Sequence, residues 1–149
     1  SSLLQNTLTN KNEYITIQEE LENLENYFAI LRIRYAGSFE YSFDVEEEEL
    51  LSCLVPKLIL QPLAENSVMH GSSDDGSVME ILITCWEENN HLIIELCDNG
   101  KGFDLATAEI GNGLNTMKKR ASELKGDFNI ETNESGTKIH LSLPNQNKF

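Results

Sequence analysis

Positive charge is scarce in this sequence. Its 149 residues include 11 lysines and arginines against 25 aspartates and glutamates, so the formal net charge is −14. A protein that binds nucleic acid neutralises phosphates with basic side chains, and this charge balance argues against that class. It does not exclude a small phosphate-bearing ligand, because backbone N–H groups and a metal ion can supply positive charge in a cleft.

Cysteines and long apolar runs are also scarce. Cys53, Cys85 and Cys97 have no Cys-x-x-Cys spacing and lie in or beside apolar segments. This pattern favours buried reduced thiols over a disulfide or a zinc site. No apolar run has membrane-spanning length, and the N-terminus has no signal-peptide pattern. We therefore expect a cytoplasmic location, as a soluble protein or as the cytoplasmic portion of an inner-membrane protein, without direct membrane contact by this chain.

Apolar residues recur at heptad spacing in the first quarter of the chain. Thr16 begins a predicted helix in which Glu19 completes a capping box, and Gly37 ends it. The apolar seam consists of Ile17, Leu21, Leu24, Phe28, Leu31 and Tyr35. One interpretation is an amphipathic helix that lies on its own domain, and the other is a stem that pairs helices across a dimer. The seam is short for a coiled coil, which favours the first interpretation.

A predicted helix over Pro56–Gly71 carries a carboxylate, an amide and an imidazole close together. Glu65, Asn66 and His70 fall within about one and a half helical turns. The apolar residues at helical spacing are Leu60, Leu63, Ala64 and Val68. The polar cluster is typical of a helix that binds something. The alternative is an ordinary core helix with polar side chains in solvent and His70 near the negative end of the dipole.

Five strands and one more helix are predicted from alternation and turn residues. The strands cover Phe39–Phe43, Val78–Trp86, His91–Cys97, Asp127–Thr132 and Thr137–Leu143. The helix opens in the Gly-rich stretch Gly111–Leu114, continues to Leu124 and stops at Gly126. The second and third strands form a hairpin. The second has apolar residues on both faces, which indicates a central position in a sheet.

Two glycine-rich segments follow the hairpin. The first, Asp98-Asn99-Gly100-Lys101-Gly102, is not a hairpin turn, because the residues beyond it do not form a strand. The second opens a helix, and Gly111 and Gly113 therefore fit an anion site made of free N–H groups. The chain has no GxxxxGK[ST] Walker loop, and the GxGxxG that begins at Gly100 fails at Leu105.

The order of these motifs is specific: Glu-Asn on a helix, Asp-x-Gly-x-Gly after a strand, Gly-x-Gly-Leu at a helix start, and Gly-Thr before the last strand. The set resembles the nucleotide-binding domain of histidine kinases and other GHKL ATPases. More narrowly, Leu60–Gly71, Ile17–Tyr27 and Arg32–Tyr35 resemble the LytS/YehU-type sensor histidine kinases. The resemblance implies an α/β two-layer sandwich (the Bergerat or GHKL ATPase fold), with a mixed, mostly antiparallel sheet and helices on one face.

The resemblance also implies a site for ATP and Mg²⁺. Asn66 would coordinate a Mg²⁺ that bridges the ATP phosphates, and Glu65 would orient water or act as a base. Asp98 would accept a hydrogen bond from the adenine amino group, with Thr137 nearby. Gly100 and Gly102 would let the backbone approach the purine.

Further positions would complete that site. His70 would lie near the phosphates or near a mobile lid over Phe103–Ile110. The phosphates would be held at the start of the last helix, by Gly111, Asn112, Gly113 and Leu114. The family commonly has Lys or Arg where this chain has Met69. Lys101, Lys118 or Arg120 are the candidates to replace that phosphate contact.

The phosphoacceptor of such kinases is a histidine on an N-terminal helix, and His70, His91 and His140 do not fit it. The resemblance therefore implies that residues 1–36 are the end of the dimerisation helices and residues 37–149 the catalytic domain. The expected function is transfer of the ATP γ-phosphoryl to a histidine on a helix outside this chain, for relay to a response regulator, in a full-length homodimer. The alternative is a nucleotide-gated interaction module with little turnover. An ATPase of the topoisomerase or repair type is disfavoured by the short chain and the lack of basic surface.

Overall fold

The computed structural model of the chain describes residues 13–35, 38–71, 75–104 and 112–145. The elements in chain order are β1 (Tyr14–Thr16), α1 (Ile17–Arg34), β2 (Ser38–Val45), a 3-10 helix (Glu48–Ser52), β3 (Leu54–Pro56), α2 (Gln61–Gly71), β4 (Val78–Glu88), β5 (His91–Asp98), α3 (Asn112–Glu123), β6 (Asp127–Asn133) and β7 (Gly136–Pro144). All five predicted strands are confirmed. None of the helices in these residues has both the length and the apolar content needed to cross a membrane.

Five of the strands form one sheet in the order β2-β4-β5-β7-β6. β2 pairs with β4 in parallel, and the other three pairs are antiparallel. β4 and β5 form the predicted hairpin, whose turn residues Asn89 and Asn90 have φ of 52° and 61°. Asparagine tolerates this left-handed conformation better than most residues do. The prediction of a mixed, mostly antiparallel sheet is confirmed.

The helices cover one face of this sheet. Ile81 and Ile83 of β4 are each 1% exposed and belong to the same core as Phe28 of α1 and Met117 of α3. Leu82, which lies between them on the opposite face, is 41% exposed. Successive side chains of a strand point to opposite faces, so this contrast identifies the covered face. The predicted two-layer sandwich is confirmed.

Helix α1 is part of that layer. Its N-terminus carries the predicted capping box: the Glu19 N–H donates to Thr16 Oγ1 at 3.1 Å, and the Thr16 N–H donates to Glu19 Oε1 at 3.2 Å. Leu24, Phe28 and Leu31 are fully buried in the core, so α1 lies on its own domain. The helix ends at Arg34 with an extended Tyr35 as its cap. Gly37 and residues 1–12 lie outside the described residues, and the division of the chain after residue 36 stays a prediction.

The prediction that a helix begins at Pro56 is wrong. Pro56 ends β3, which pairs with β1 in a small sheet that the sequence patterns did not predict. The chain then turns through Leu58, whose φ is 62°, and α2 begins at Gln61. Pro62 is therefore in the first turn, where a helix has no acceptor for backbone N–H groups and proline is tolerated.

All three cysteines are free thiols, and the predicted burial is found for Cys85 alone. Cys85 is buried in the core, and Cys53 and Cys97 are half-buried. Burial raises the pKa of the Cys85 thiol to about 12. This thiol therefore stays protonated at neutral pH and packs as a small apolar side chain.

Removal of a buried side chain from α1 should destabilise the whole domain. Leu24→Ala creates a cavity at a fully buried position, and we expect the free energy of unfolding to fall by about 2–5 kcal/mol. Ile33→Ala on the same helix is the matched control, because Ile33 is 88% exposed. Its effect should stay within about 0.5 kcal/mol. Equal denaturant midpoints for the two variants would mean that α1 does not unfold with the domain.

Candidate functional site

Helix α2 presents polar atoms that lack partners. Asn66 and Ser67 are buried, and His70 follows Asn66 by one helical turn on the same face. Among the described residues, Asn66 Nδ2, Ser67 Oγ and His70 Nε2 are buried without any hydrogen-bond partner. A buried polar group left unpaired costs about 1–3 kcal/mol. The unpaired atoms of Asn66 and His70, one helical turn apart, therefore indicate a site that a ligand completes.

Asp98 adds a fourth unpaired atom at the end of β5. This residue is 8% exposed, and its Oδ1 accepts the Gly100 N–H at 3.0 Å. Its Oδ2 is buried and has no hydrogen-bond partner in the described part of the chain. Burial raises the pKa of Asp98 above its ordinary value of 3.8, although the nearby Ser67 hydroxyl and the Gly100 and Thr137 N–H groups oppose the rise. The free oxygen can accept a hydrogen bond from a ligand.

Close backbone packing brings α2 and the Asp98 loop together. A Cβ on Gly100 would lie 2.5 Å from Gly71 Cα and 2.6 Å from Gly71 O. The Lys101 N–H donates to Gly71 O at 3.3 Å. A Cβ on Gly71 would lie 3.5 Å from Asp98 Oδ1. The last turn of α2 and the Asp98 carboxylate therefore border the same space.

The next part of the loop is fixed on β6. Gly102 has a φ of 69°, and a Cβ there would lie 2.0 Å from Asn133 O. The Phe103 N–H then donates to Thr132 Oγ1 at 3.2 Å. In the described structure, a Cβ at either Gly100 or Gly102 would clash with protein backbone, so both positions require glycine even without a ligand. Their predicted approach to a purine stays a prediction.

Thr137 lies beside Asp98, as expected for a residue of the same site. It pairs with Asp98 across β5 and β7 and is 5% exposed. Its hydroxyl forms a 2.8 Å hydrogen bond with the Thr132 hydroxyl. Thr132 thus links Thr137 to the loop at Phe103, which is a connection that the sequence patterns did not indicate.

His70 faces the start of the predicted lid. Its ring lies 4.7 Å from the Phe103 ring, centroid to centroid. Burial lowers the pKa of His70 below 6.5, and the positive charge of Lys101 lowers it further. The imidazole is therefore neutral at pH 7, and Lys101 supplies the positive charge nearby. Residues 105–110 of the predicted lid lie outside the described residues.

The Glu65 carboxylate has partners on α1, unlike the unpaired polar atoms of its neighbours on α2. The Tyr27 hydroxyl donates to Glu65 Oε2, and Arg34 Nη1 lies 3.7 Å from Glu65 Oε1. Burial and the adjacent carboxylate raise the pKa of Tyr27 to about 12, so the phenol keeps its proton. The sequence patterns did not identify Tyr27 and Arg34 as partners of Glu65. Their seven-residue spacing, which places them on one face of a helix, is the signal that could have done so.

The start of α3 is only partly described. α3 begins at Asn112 and Gly113, and the free N–H groups of its first turn suit an anion. Leu114 is 4% exposed and packs in the hydrophobic core, so its side chain is not available to a ligand. Gly111 lies outside the described residues.

The candidate replacements for a basic residue at position 69 differ in placement. Met69 is 43% exposed, and Lys118 is exposed on α3. Arg120 Nη2 donates to Lys57 O at 3.2 Å, in the turn before α2. Lys101 is the candidate whose charge acts on His70, which makes it the best placed of the three.

The donor set fits Mg²⁺ held together with a phosphate. In the described part of the chain, no group of three His, Cys, Asp or Glu side chains could hold a metal ion by itself. Mg²⁺ usually takes one or two protein ligands and completes its shell with water and substrate phosphates. Asn66 could supply one such ligand through its Oδ1, while its unpaired Nδ2 is a donor that suits a phosphate oxygen.

Comparison with known proteins assigns the family. Residues 55–147 match the family described as histidine kinase-, DNA gyrase B- and HSP90-like ATPase. The chain belongs to this family, and the predicted membership is confirmed.

Similar proteins agree with the narrower resemblance. The chain is 32% identical over 154 residues to the sensor histidine kinase YesM of Bacillus subtilis, covering 98% of this chain and 26% of that protein. It is 30% identical over 150 residues to the sensor protein LytS of Oceanobacillus iheyensis, covering 89% and 26%. The chain thus spans about a quarter of the length of these relatives. The histidine kinase domain of the Erythrobacter litoralis EL346 blue-light activated kinase has the same fold, with a TM-score of 0.70, 16% identity, and coverage of 90% of this chain and 63% of that chain.

Gly100→Ala should destabilise the domain even without a nucleotide. The added Cβ would overlap the Gly71 backbone, which cannot rotate away as a side chain can. We expect the free energy of unfolding to fall by about 1–3 kcal/mol, measured by denaturation of the nucleotide-free protein. Lys101→Ala, at an exposed neighbour, should change it little. Unchanged stability of the Gly100 variant, with weaker nucleotide binding, would instead mean that the glycine serves the ligand alone.

Proposed function

We propose that the chain is the ATP-binding catalytic region of a sensor histidine kinase. It would transfer the ATP γ-phosphoryl to a histidine on a dimerisation helix outside this chain, for relay to a response regulator. The observation that carries the proposal is the set of unpaired polar atoms at the junction of α2 and β5, in a chain of this ATPase family. Buried polar atoms without partners are rare, so their presence on both α2 and the adjoining end of β5 favours a polar ligand.

Three of the four residues that carry these atoms, Asn66, His70 and Asp98, would have a role toward Mg-ATP. Asp98 Oδ2 would accept the adenine amino group, with Thr137 beside it. Asn66 would hold Mg²⁺ through its Oδ1, and His70, Lys101 and the first turn of α3 would border the phosphates. Bound Mg²⁺ would neutralise charge on the transferring phosphoryl group. Glu65 would orient water or act as a base. Most of the catalysis would come from positioning the reacting groups and neutralising their charge.

The surrounding architecture follows from the same proposal. Residues 1–36, whose helix α1 packs into the core of the domain, would end the dimerisation region, residues 37–149 would form the rest of the catalytic domain, and the full-length protein would be a homodimer. This chain would belong to the cytoplasmic portion of an inner-membrane protein. Its partners would be ATP, the phosphoacceptor helix and a response regulator. Nucleic acid is disfavoured as a partner by the net charge of −14.

Met69 supports a second candidate function. It is 43% exposed at a position where the family commonly has a basic residue. If a phosphate contact is missing there, nucleotide binding would persist while transfer would be slow. The chain would then act as a nucleotide-gated interaction module, and the rate of phosphoryl transfer separates this function from the first.

Binding of ATP should depend on Asp98 and on the adenine base. Calorimetric titration with Mg²⁺ should give saturable ATP binding to the wild type. Asp98→Asn puts an amide donor toward the adenine amino group and should weaken binding by about 10-fold or more, as expected for a lost hydrogen bond to a charged group. GTP should bind poorly to the wild type, because guanine has a carbonyl oxygen at the position of that amino group.

Two controls separate lost binding from lost folding. Asp127→Asn, at an exposed position on β6, should leave ATP binding unchanged. Because burial raises the folded-state pKa of Asp98, its ionisation costs stability as the pH rises above about 3.8, the ordinary pKa. Asp98→Asn should therefore not lower the free energy of unfolding at pH 7. Equal affinity of wild type and Asp98→Asn for ATP would contradict the proposed adenine contact.

The chain alone should not phosphorylate itself. We expect no acid-labile label on it after incubation with γ-labelled Mg-ATP, because its own histidines are not on a suitable helix. His70 lies in the nucleotide site, and His140 is paired with Glu95 on the sheet at 2.8 Å. The full-length protein should become labelled under the same conditions. Acid-labile phosphate on this chain alone would overturn the assignment of the acceptor to another segment.

A further inference from the structure

Three polar side chains form a straight stripe on α1. Glu20, Tyr27 and Arg34 are spaced by seven residues, and all three contact α2 or the turn before it. Seven residues are close to two helical turns, so these side chains lie on one face over about 21 Å of helix. We call them the α1 polar stripe. The apolar seam of the same helix fills the core beside it.

The first member of the stripe anchors the turn that precedes α2. Glu20 is 1% exposed, and its carboxylate accepts the Leu58 N–H at 2.9 Å and the Leu60 N–H at 3.0 Å. A buried carboxylate is tolerated only when such donors satisfy it. Leu60 O in turn accepts the Ala64 N–H at 3.0 Å, in the first turn of α2. Glu20 therefore fixes where α2 starts relative to α1.

The other two members hold the Glu65 carboxylate. Tyr27 donates to one oxygen of Glu65, and Arg34 lies 3.7 Å from the other. Each carboxylate oxygen has two lone-pair directions, so each keeps one for another partner. The Glu65 side chain is 34% exposed, so solvent or a ligand can reach it. Residues of α1 thus set the orientation of the Glu65 carboxylate, while both of its oxygens can still accept a hydrogen bond from another group.

We propose that Tyr27 and Arg34 are positioning residues, which orient Glu65 for phosphoryl transfer and couple α1 to the nucleotide site. The inference rests on the proposed kinase function and deepens it, because it names what sets the geometry of the proposed base, Glu65. A base whose carboxylate is oriented by a third group is the arrangement that efficient proton transfer requires. A shift of α1 along or about its axis would change both contacts to Glu65 together.

The first test is Tyr27→Phe in the full-length protein. The variant keeps the aromatic packing and removes the donor to Glu65. We expect the rate of autophosphorylation at saturating ATP to fall by about 10- to 100-fold, as small misplacements of a catalytic group do. The affinity for Mg-ATP and the thermal midpoint should stay close to those of the wild type. Tyr41→Phe is the matched control, because the Tyr41 ring stacks on Phe28 of the core at 4.3 Å, and it should retain the rate.

The second test compares two arginines in the last turn of α1. Arg34→Gln removes the ion pair with Glu65 and should lower the rate by about two- to fivefold, the range for a largely exposed pair. Arg34→Lys should restore part of this loss. Arg32→Gln is the control, since Arg32 pairs with Glu40 at 3.8 Å and lies over the Phe39 ring, and it should leave the rate unchanged.

A double-mutant cycle decides whether Tyr27 acts through Glu65. If it does, Tyr27→Phe should have no further effect on the rate in a Glu65→Gln background. Additive losses would overturn the inference, because Tyr27 would then act elsewhere. A Tyr27→Phe variant with a wild-type rate would overturn it as well, while the kinase function stood. A wild type that neither binds ATP nor becomes phosphorylated would contradict the proposed function itself, whatever the variants do.

Discussion

The contact between the Gly71 and Gly100 backbones is the constraint on which the site depends. A Cβ on Gly100 would lie 2.5 Å from Gly71 Cα, so two glycines are what allows the end of α2 to meet the loop after β5. This contact holds α2, with its unpaired polar atoms, against the loop that follows Asp98. Were α2 displaced from the loop, these atoms would be separate polar defects, with no common ligand to satisfy them.

Two buried carboxylates show how the structure distinguishes support from function. Burial raises the pKa of both Glu20 and Asp98. Glu20 accepts two backbone N–H groups with its two oxygens and so completes its own hydrogen bonding inside the fold. Asp98 keeps one oxygen without a partner among the described residues. Both carboxylates are desolvated, but backbone hydrogen bonds compensate Glu20 and fix the start of α2, whereas Asp98 keeps an acceptor for a ligand.

Local patterns in the sequence predicted the elements whose signals are short-range. Alternation identified the strands, and Thr16 with Glu19 identified the start of α1, because the capping box closes within four residues. Helical periodicity failed at Pro56–Leu60, where the carboxylate of Glu20, about 40 residues earlier, holds a turn instead of a helix. The pairing of β1 with β3 was missed for the same reason. Contacts of long sequence separation leave no periodic trace within either segment.

The sequence by itself determined the family, the five strands of the sheet and the candidate residues Asn66, Asp98 and Thr137. Motif order and side-chain alternation depend only on the order and spacing of residues along the chain. Only the tertiary structure decided which of those residues keep unpaired atoms, that Leu114 belongs to the core, and that Glu65 is held by Tyr27 and Arg34. These outcomes depend on burial and on distances between segments. Both arise when the helices close over the sheet, since packing determines which polar groups lose water and which of them find a partner.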